Sequence, residues 1–435
     1  MVGAERAASV LEDYIANTTA NALGSLFFDQ TRLIDPPRPL SMVHRRANSN
    51  ATVLTRRRDL DAVAKTTPIM HSVLLNSLLF GLAVAAPNPL PQGIDFGAVD
   101  AAPMPTALGP QPEKTVDVVS YDSTSAAAAA SSQVLATASA SANVKRTDDD
   151  SDGDDAACDT EKLEVGKGEL TRNPDTAAAF HDNDHYAQAA KAAKAPAGYK
   201  EAFNNLQSSV EMIGYHGLRT IGEYDPELCA ELCKKDEGCV AFNMYFERSP
   251  SYATSDTCRD PPSTTYIKCT FYGFPISAEA STNKQQHRHD FDVVRAGSNA
   301  YNREDIPAPK VDDFDAPTEL DCAINAPLDP KTGKDTYVGM SAFKTSYDPG
   351  QCASACNAHN DYSREHPDHE GNYHFCNFFN SYVLYKNNVP ESLVCSMYTR
   401  EWDSSYAVNC GQHRGNDAYT IGQSATYALS DKLSA

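Results

Sequence analysis

The chain has 435 residues, with 37 Lys+Arg against 58 Asp+Glu and a formal net charge of −21. Its length allows two to four domains. Residues 1–146 carry 12 basic and 12 acidic side chains, whereas residues 147–435 carry 25 and 46. So acidic a product, with no basic patch, excludes nucleic acid and anionic membrane surfaces as natural partners.

In chain order, residues 1–69 read as a misassigned or disordered N-terminal extension, with translation starting at Met70. The alternative is a weak signal anchor with Arg45, Arg46 and Arg56–Arg58 on the cytoplasmic side. Residues 70–86 contain a 14-residue apolar core, Val73 to Ala86, with a small-x-small signal at Ala83-Val84-Ala85. That is the pattern of a secretory signal peptide, too short for a stable membrane span. Residues 87–146 are rich in Pro, Ala and Ser and end at the dibasic pair Lys145-Arg146. Such a composition reads as a low-complexity propeptide or linker without a packed core, so the mature chain is expected to begin near Thr147.

Residues 147–197 combine an acidic segment with an Ala-rich helix. "DDDSDGDDAACD", Asp148 to Asp159, has the spacing of an EF-hand calcium loop. Its apolar position is Asp155, its last ligand is Asp rather than Glu, and no helix pattern precedes it, which favours a solvated acidic tail. Asp175 to Lys194 reads as one helix closed by Pro196. It carries His181 and His185, a pair without a third metal ligand. His366, His369 and His374 form a second histidine group. No metal and no cofactor is expected.

Two stretches downstream repeat each other. "YDPELCAELC" from Tyr224 returns as "YDPGQCASAC" from Tyr347. Asp225 and Asp348 are N-caps and Pro226 and Pro349 first-turn prolines, so each phrase opens a short helix. Its two cysteines, 229/233 and 352/356, share one helix face. "CVAFNMY" answers "CNFFNSY", so Asn243 and Tyr245 match Asn380 and Tyr382. "NKQQHR" answers "NCGQHR", so His287-Arg288 match His413-Arg414, and Ser298 and Tyr301 match Ser424 and Tyr427. From Cys269 to Tyr301 the offset is a constant 126. The chain therefore carries two copies of one module, residues 198–302 and 322–435, joined by an acidic, proline-bearing linker at 303–321.

All 12 Cys lie at or after Cys158, an even count that reads as disulfides behind a signal peptide; without any CxxC pair the spacing is poor for zinc. The simplest pairing staples each helix to two strands: Cys229–Cys269 with Cys233–Cys239, and Cys352–Cys395 with Cys356–Cys376. Cys322 and Cys410 then remain in the second module, and Cys158 and Cys258 in the first. Connectivity is not fixed by sequence alone, and these last two bridges rest on elimination.

The cysteine pattern of residues 198–435 resembles the PAN/apple family. "GCVAFNMYFERSP", "PPSTTYIKC" and "AGSNAY" look like a group of secreted fungal proteins with apple-like modules. The resemblance implies an α+β fold and two disulfide-stapled modules, each with a short helix on a curved antiparallel sheet, while the composition of the N-terminal third reads as disordered. The resemblance also implies binding of carbohydrate or protein rather than catalysis. No G-x-S-x-G, H-E-x-x-H, P-loop or dinucleotide fingerprint occurs. The expected function is that of a secreted, non-catalytic protein, extracellular or in the cell wall, that binds a glycan or an extracellular protein. The alternatives are an extracellular hydrolase with an unrecognised active site and a structural cell-wall protein. Asn243, Tyr245, His287, Arg288, Asn380, Tyr382, His413 and Arg414 are the candidate ligand contacts, because both modules hold them. The same retention would follow from a structural hydrogen-bond network.

Overall fold

In the computed structural model of the chain, residues 93–110, 116–119, 121–135 and 158–434 are described. The expected signal peptide at 70–86, the 1–69 extension, the dibasic pair and most of the acidic segment lie outside the described residues. Ahead of the modules come α1 (Phe96–Ala101), β1 (Val116–Val118), α2 (Ser123–Leu135), α3 (Ala177–His181) and α4 (Asp184–Ala192). The first module then follows as β2 (Tyr199–Leu206), β3 (Tyr215–Ile221), α5 (Pro226–Lys234), β4 (Ala241–Pro250), β5 (Ser263–Tyr272), β6 (Gln285–Arg288) and β7 (Phe291–Arg303). The second repeats the order as β8 (Thr318–Leu320), β9 (Tyr337–Phe343), α6 (Pro349–Glu365), β10 (Phe378–Lys386), β11 (Val389–Tyr398), β12 (Gly411–Arg414) and β13 (Asp417–Ala428).

The two antiparallel sheets have the same topology. One runs β3-β5-β4-β7-β2 with β6 on β7, and the other β9-β11-β10-β13 with β12 and β8 on β13. Duplication at the level of sequence is thus duplication of fold. The register agrees residue by residue, with Tyr245 opposite Lys268 where Tyr382 stands opposite Val394, and Glu247 opposite Arg295 where Leu384 stands opposite Ile421.

Each module helix starts as its sequence dictates. The Asp225 carboxylate accepts the N–H groups of Glu227 and Leu228, that of Asp348 accepts the N–H of Gly350, and a proline fills each first turn. The cysteine face turns inward. Cys229 and Cys233 bond Cys269 and Cys239, and Cys352 and Cys356 bond Cys395 and Cys376. Cys158–Cys258 and Cys322–Cys410 complete six bridges, so the pairing matches the simplest assignment throughout. In β4 every residue is buried, because the sheet is covered on both faces. Phe242, Met244 and Phe246 alternate toward α5, and Asn243, Tyr245 and Glu247 point the other way.

Four expectations need correction. Residues 87–146 do contain a packed segment. Ile94, Phe96, Val99 and Ala102 join Ala342, Tyr382, Leu384 and Val394 in one buried cluster. The Ala-rich α2 lies along α6, where Ala130 is buried and Ser131 Oγ donates to the Ser354 carbonyl. Small side chains permit this close approach, so packing there needs no hydrophobic stripe. Second, the helix expected at 175–194 is two helices, since the Asn183 side chain caps a new start by accepting the His185 N–H. Third, α6 is not short: its 17 residues against nine in α5 take up the longer Cys356–Cys376 interval. Fourth, the linker enters the second sheet before residue 322, as Thr318–Leu320 pair with β13.

Candidate binding site

The shared polar residues divide into two groups. Asn243 and Asn380 are fully buried clamps. The Asn243 Oδ1 accepts the Val210 N–H at 3.0 Å, and its Nδ2 donates to Ser298 Oγ at 2.8 Å and to the Asn299 carbonyl at 2.9 Å. Asn380 repeats this with the Ile324 N–H at 2.8 Å, Ser424 Oγ at 3.0 Å and the Ala425 carbonyl at 3.0 Å. The repeated Asn and Ser in the sequence are the two halves of this clamp, which ties β4 or β10 to its neighbouring strand and to the incoming loop. Tyr245 and Tyr382 are buried beside them. Burial pushes the Tyr382 hydroxyl up to about 12 and that of Tyr245 well above its ordinary value. These four candidates belong to the core and cannot touch a ligand, because both faces of their strands are covered. Asn380→Ala should lower stability by about 1–3 kcal/mol, as the Ile324 N–H loses its acceptor in the interior. Chemical denaturation measures this.

The His-Arg pairs lie elsewhere. Each closes a hairpin with a two-residue turn, β6–β7 with Arg288 opposite Phe291 and β12–β13 with Arg414 opposite Asp417. The first turn residue has positive φ in both, His289 at 53° and Gly415 at 61°. His287 is 74% exposed and its Nδ1 sits 2.7 Å from Asp292 Oδ1 across the hairpin. Arg288 is half-buried, while His413 and Arg414 are exposed. The Arg414 guanidinium stands 4.0 Å over the Phe96 ring. Each pair is thus presented at one end of its own sheet, and the two sets are joined by no shared strand.

The histidine groups do not build a metal centre. His185 Nδ1 pairs with Glu169 at 2.9 Å, and His374 Nε2 with Asp368 at 3.1 Å. Among the described residues, no three His, Cys, Asp or Glu side chains are placed to hold a metal ion. No helix of the described residues is long and apolar enough to cross a membrane.

The repeat did not flag the seam where the N-terminal segment meets the modules. A cavity of 460 Å³ opens there, lined by Tyr121, Tyr215, His216 and Thr345 among others. Tyr121 lies flat on His216, with ring centroids 5.4 Å apart and an interplanar angle of 4°, and its hydroxyl donates to Asp348 Oδ2 at 2.5 Å. Burial, and then the Asp348 charge, push the Tyr121 hydroxyl far above its ordinary value, so it remains a donor. His216 Nδ1 is 3.1 Å from Asp236 Oδ2. Neither residue carried a sequence signal. β9 has no histidine, so comparison of the two modules passes over His216, and Tyr121 stands in a low-complexity stretch. A second cleft of 220 Å³ between the modules is lined by Arg303, Glu304, Tyr347 and Gln423. Aromatic faces flanked by charged groups of this kind can hold amphipathic ligands.

No family model, no curated protein and no solved structure matches this chain.

Proposed function

We propose that the chain is a secreted, non-catalytic binding protein built from two modules of PAN/apple type, recognising carbohydrate or protein outside the cell. One observation carries this reading. Two copies of one disulfide-stapled fold each present a His-Arg pair on an equivalent hairpin, in surroundings where Arg can donate paired hydrogen bonds and an imidazole can stack or donate. The burial of Asn243, Tyr245, Asn380 and Tyr382 narrows the contact set to His287, Arg288, His413 and Arg414.

The test is a glycan and cell-wall binding screen on the full secreted protein, followed by the single variants Arg288→Ala and Arg414→Ala. A hydrogen bond from a charged donor contributes about 1.5–3 kcal/mol, so each variant should bind roughly tenfold more weakly or worse. Melting temperatures should stay nearly unchanged, with at most a small loss for Arg414→Ala from its contact with Phe96. Lost stability without a specific loss of binding would make the pairs structural. Abundance in wall extracts without saturable binding would favour a structural wall protein.

A further inference from the structure

The outer edge of β3 is shaped for the backbone of another strand. β1 pairs with it antiparallel, Val116 opposite Arg219, Asp117 opposite Leu218 and Val118 opposite Gly217. Gly217 has φ +120°, and a Cβ there would stand 2.2 Å from the Asp117 carbonyl oxygen. Only glycine leaves room for so close an approach in that conformation. Arg219 Nη1 donates to the same carbonyl at 3.1 Å, and the Tyr215 hydroxyl donates to Asp117 Oδ2 at 3.4 Å. Val116 and Val118 are 57% and 58% exposed, so the edge reads backbone and the acidic side chain rather than an apolar pocket. Four residues beyond Asp117, Tyr121 is taken up by stacking on His216 and by Asp348.

This occupant belongs to a segment that also packs on the modules through α1 and α2, and no disulfide holds it there. No cysteine precedes Cys158, so no disulfide ties β1 to the modules, and Lys145-Arg146 follow it in the chain. A cut at that pair would leave the segment held by noncovalent contacts alone. Among the described residues, the equivalent edge in the second module, β9, pairs with no further strand, and α1 packs on the face of that sheet instead, so the device is particular to the first module.

We propose that the β3 edge is a docking site for an extended strand of another protein bearing an acidic residue and, four positions on, an aromatic one. Val116–Val118 with Tyr121 fill it in cis until cleavage frees it, a form of strand addition in which main-chain bonds supply affinity and two side chains supply selectivity. The proposal rests on the reading of Lys145-Arg146 as a processing site, and it is independent of the hairpin contacts proposed above. Making the cut in vitro separates failure of processing in the cell from failure of the docking site.

The experiment uses the full secreted protein before and after cleavage by a dibasic-specific endoprotease. The probe is a fluorescein-labelled synthetic peptide of residues 114–122, followed by fluorescence anisotropy. Saturable binding to the cleaved protein is expected, at least about tenfold tighter than to the uncleaved protein, in which the tethered segment competes. Peptides carrying Asp117→Ala or Tyr121→Ala should each bind about tenfold more weakly, a readout that leaves folding of the protein untouched. Gly217→Val in the protein should abolish binding. The proposal is overturned if the cleaved protein binds the peptide no better than a scrambled one, or if cleaved and uncleaved proteins bind alike. It is equally overturned if excess peptide fails to displace the cleaved segment, or if the peptide variants bind as well as the parent.

Discussion

Glu247→Leu is expected to destabilise the protein by about 3–5 kcal/mol, the cost of stranding buried charges without a partner. Glu247, Lys268 and Arg295 are all fully buried, and the single carboxylate serves both cations. Lys268 Nζ reaches Glu247 Oε1 at 2.6 Å, and Arg295 Nη2 reaches Oε2 at 3.1 Å. Asn283 Oδ1 accepts from Arg295 Nη1 and Gln286 Oε1 from Arg295 Nη2, at 3.1 Å each. Leucine would remove the only anion of the cluster, and the melting temperature should fall by roughly 10 °C. The second module shows how the same place is built without charge, as Leu384, Val394 and Ile421 hold the register positions of the triad. The triple variant Glu247→Leu, Lys268→Val, Arg295→Ile should therefore recover most of the loss, since apolar replacement of a buried ion cluster is often neutral or better. If the single variant melts like the parent, the cluster is not buried as described.

The same cluster sets a pH dependence. Burial alone would raise the Glu247 carboxyl, but Lys268 and Arg295 outweigh it and hold the group below its ordinary value. A folded-state value depressed below the unfolded one means stability that is present above the unfolded carboxylate range, about 4.3 for Glu. That stability drains as pH falls through the lower folded value. Urea midpoints measured from pH 7 down to pH 3 should decline in the acid range, and decline less in the triple variant.

Removing the Cys352–Cys395 bridge by a double change to alanine is the second large effect, about 2–5 kcal/mol. It pins α6 to β11 across 43 residues and packs with Cys356, Cys376 and Phe379 in the core. The corresponding pair Cys229–Cys269, across 40 residues, should cost a similar amount. Equal sensitivity in thermal melts of the two double variants would show the modules to be energetically as well as topologically equivalent. A bridge whose loss leaves the melt unchanged would not be a staple of its module.

Much of the fold was written locally. Aspartate and proline at fixed places open α5 and α6, cysteines four apart give each helix a face, and the repeated Asn and Ser mark a buried clamp. Each of these signals is a short-range constraint that the sequence states by itself. The segment at 93–135 escaped because an Ala- and Ser-rich helix has no hydrophobic periodicity. It packs through closeness instead, with Ser131 and Gln133 donating to the Ser354 and Ala342 carbonyls. Glu247, Lys268 and Arg295 escaped for the opposite reason. They alternate with apolar neighbours as solvent-facing residues do, and only tertiary cover places them inside. The candidate contacts were half legible: retention in both modules selected core clamps and exposed hairpins alike, and burial separates them.

Peptide mapping of the protein under non-reducing conditions tests most directly whether the chain is two copies of one stapled module. Six linked pairs are predicted, with Cys229–Cys269 and Cys233–Cys239 answering Cys352–Cys395 and Cys356–Cys376. Free thiols at those eight positions, or bridges running from one module to the other, would contradict the account.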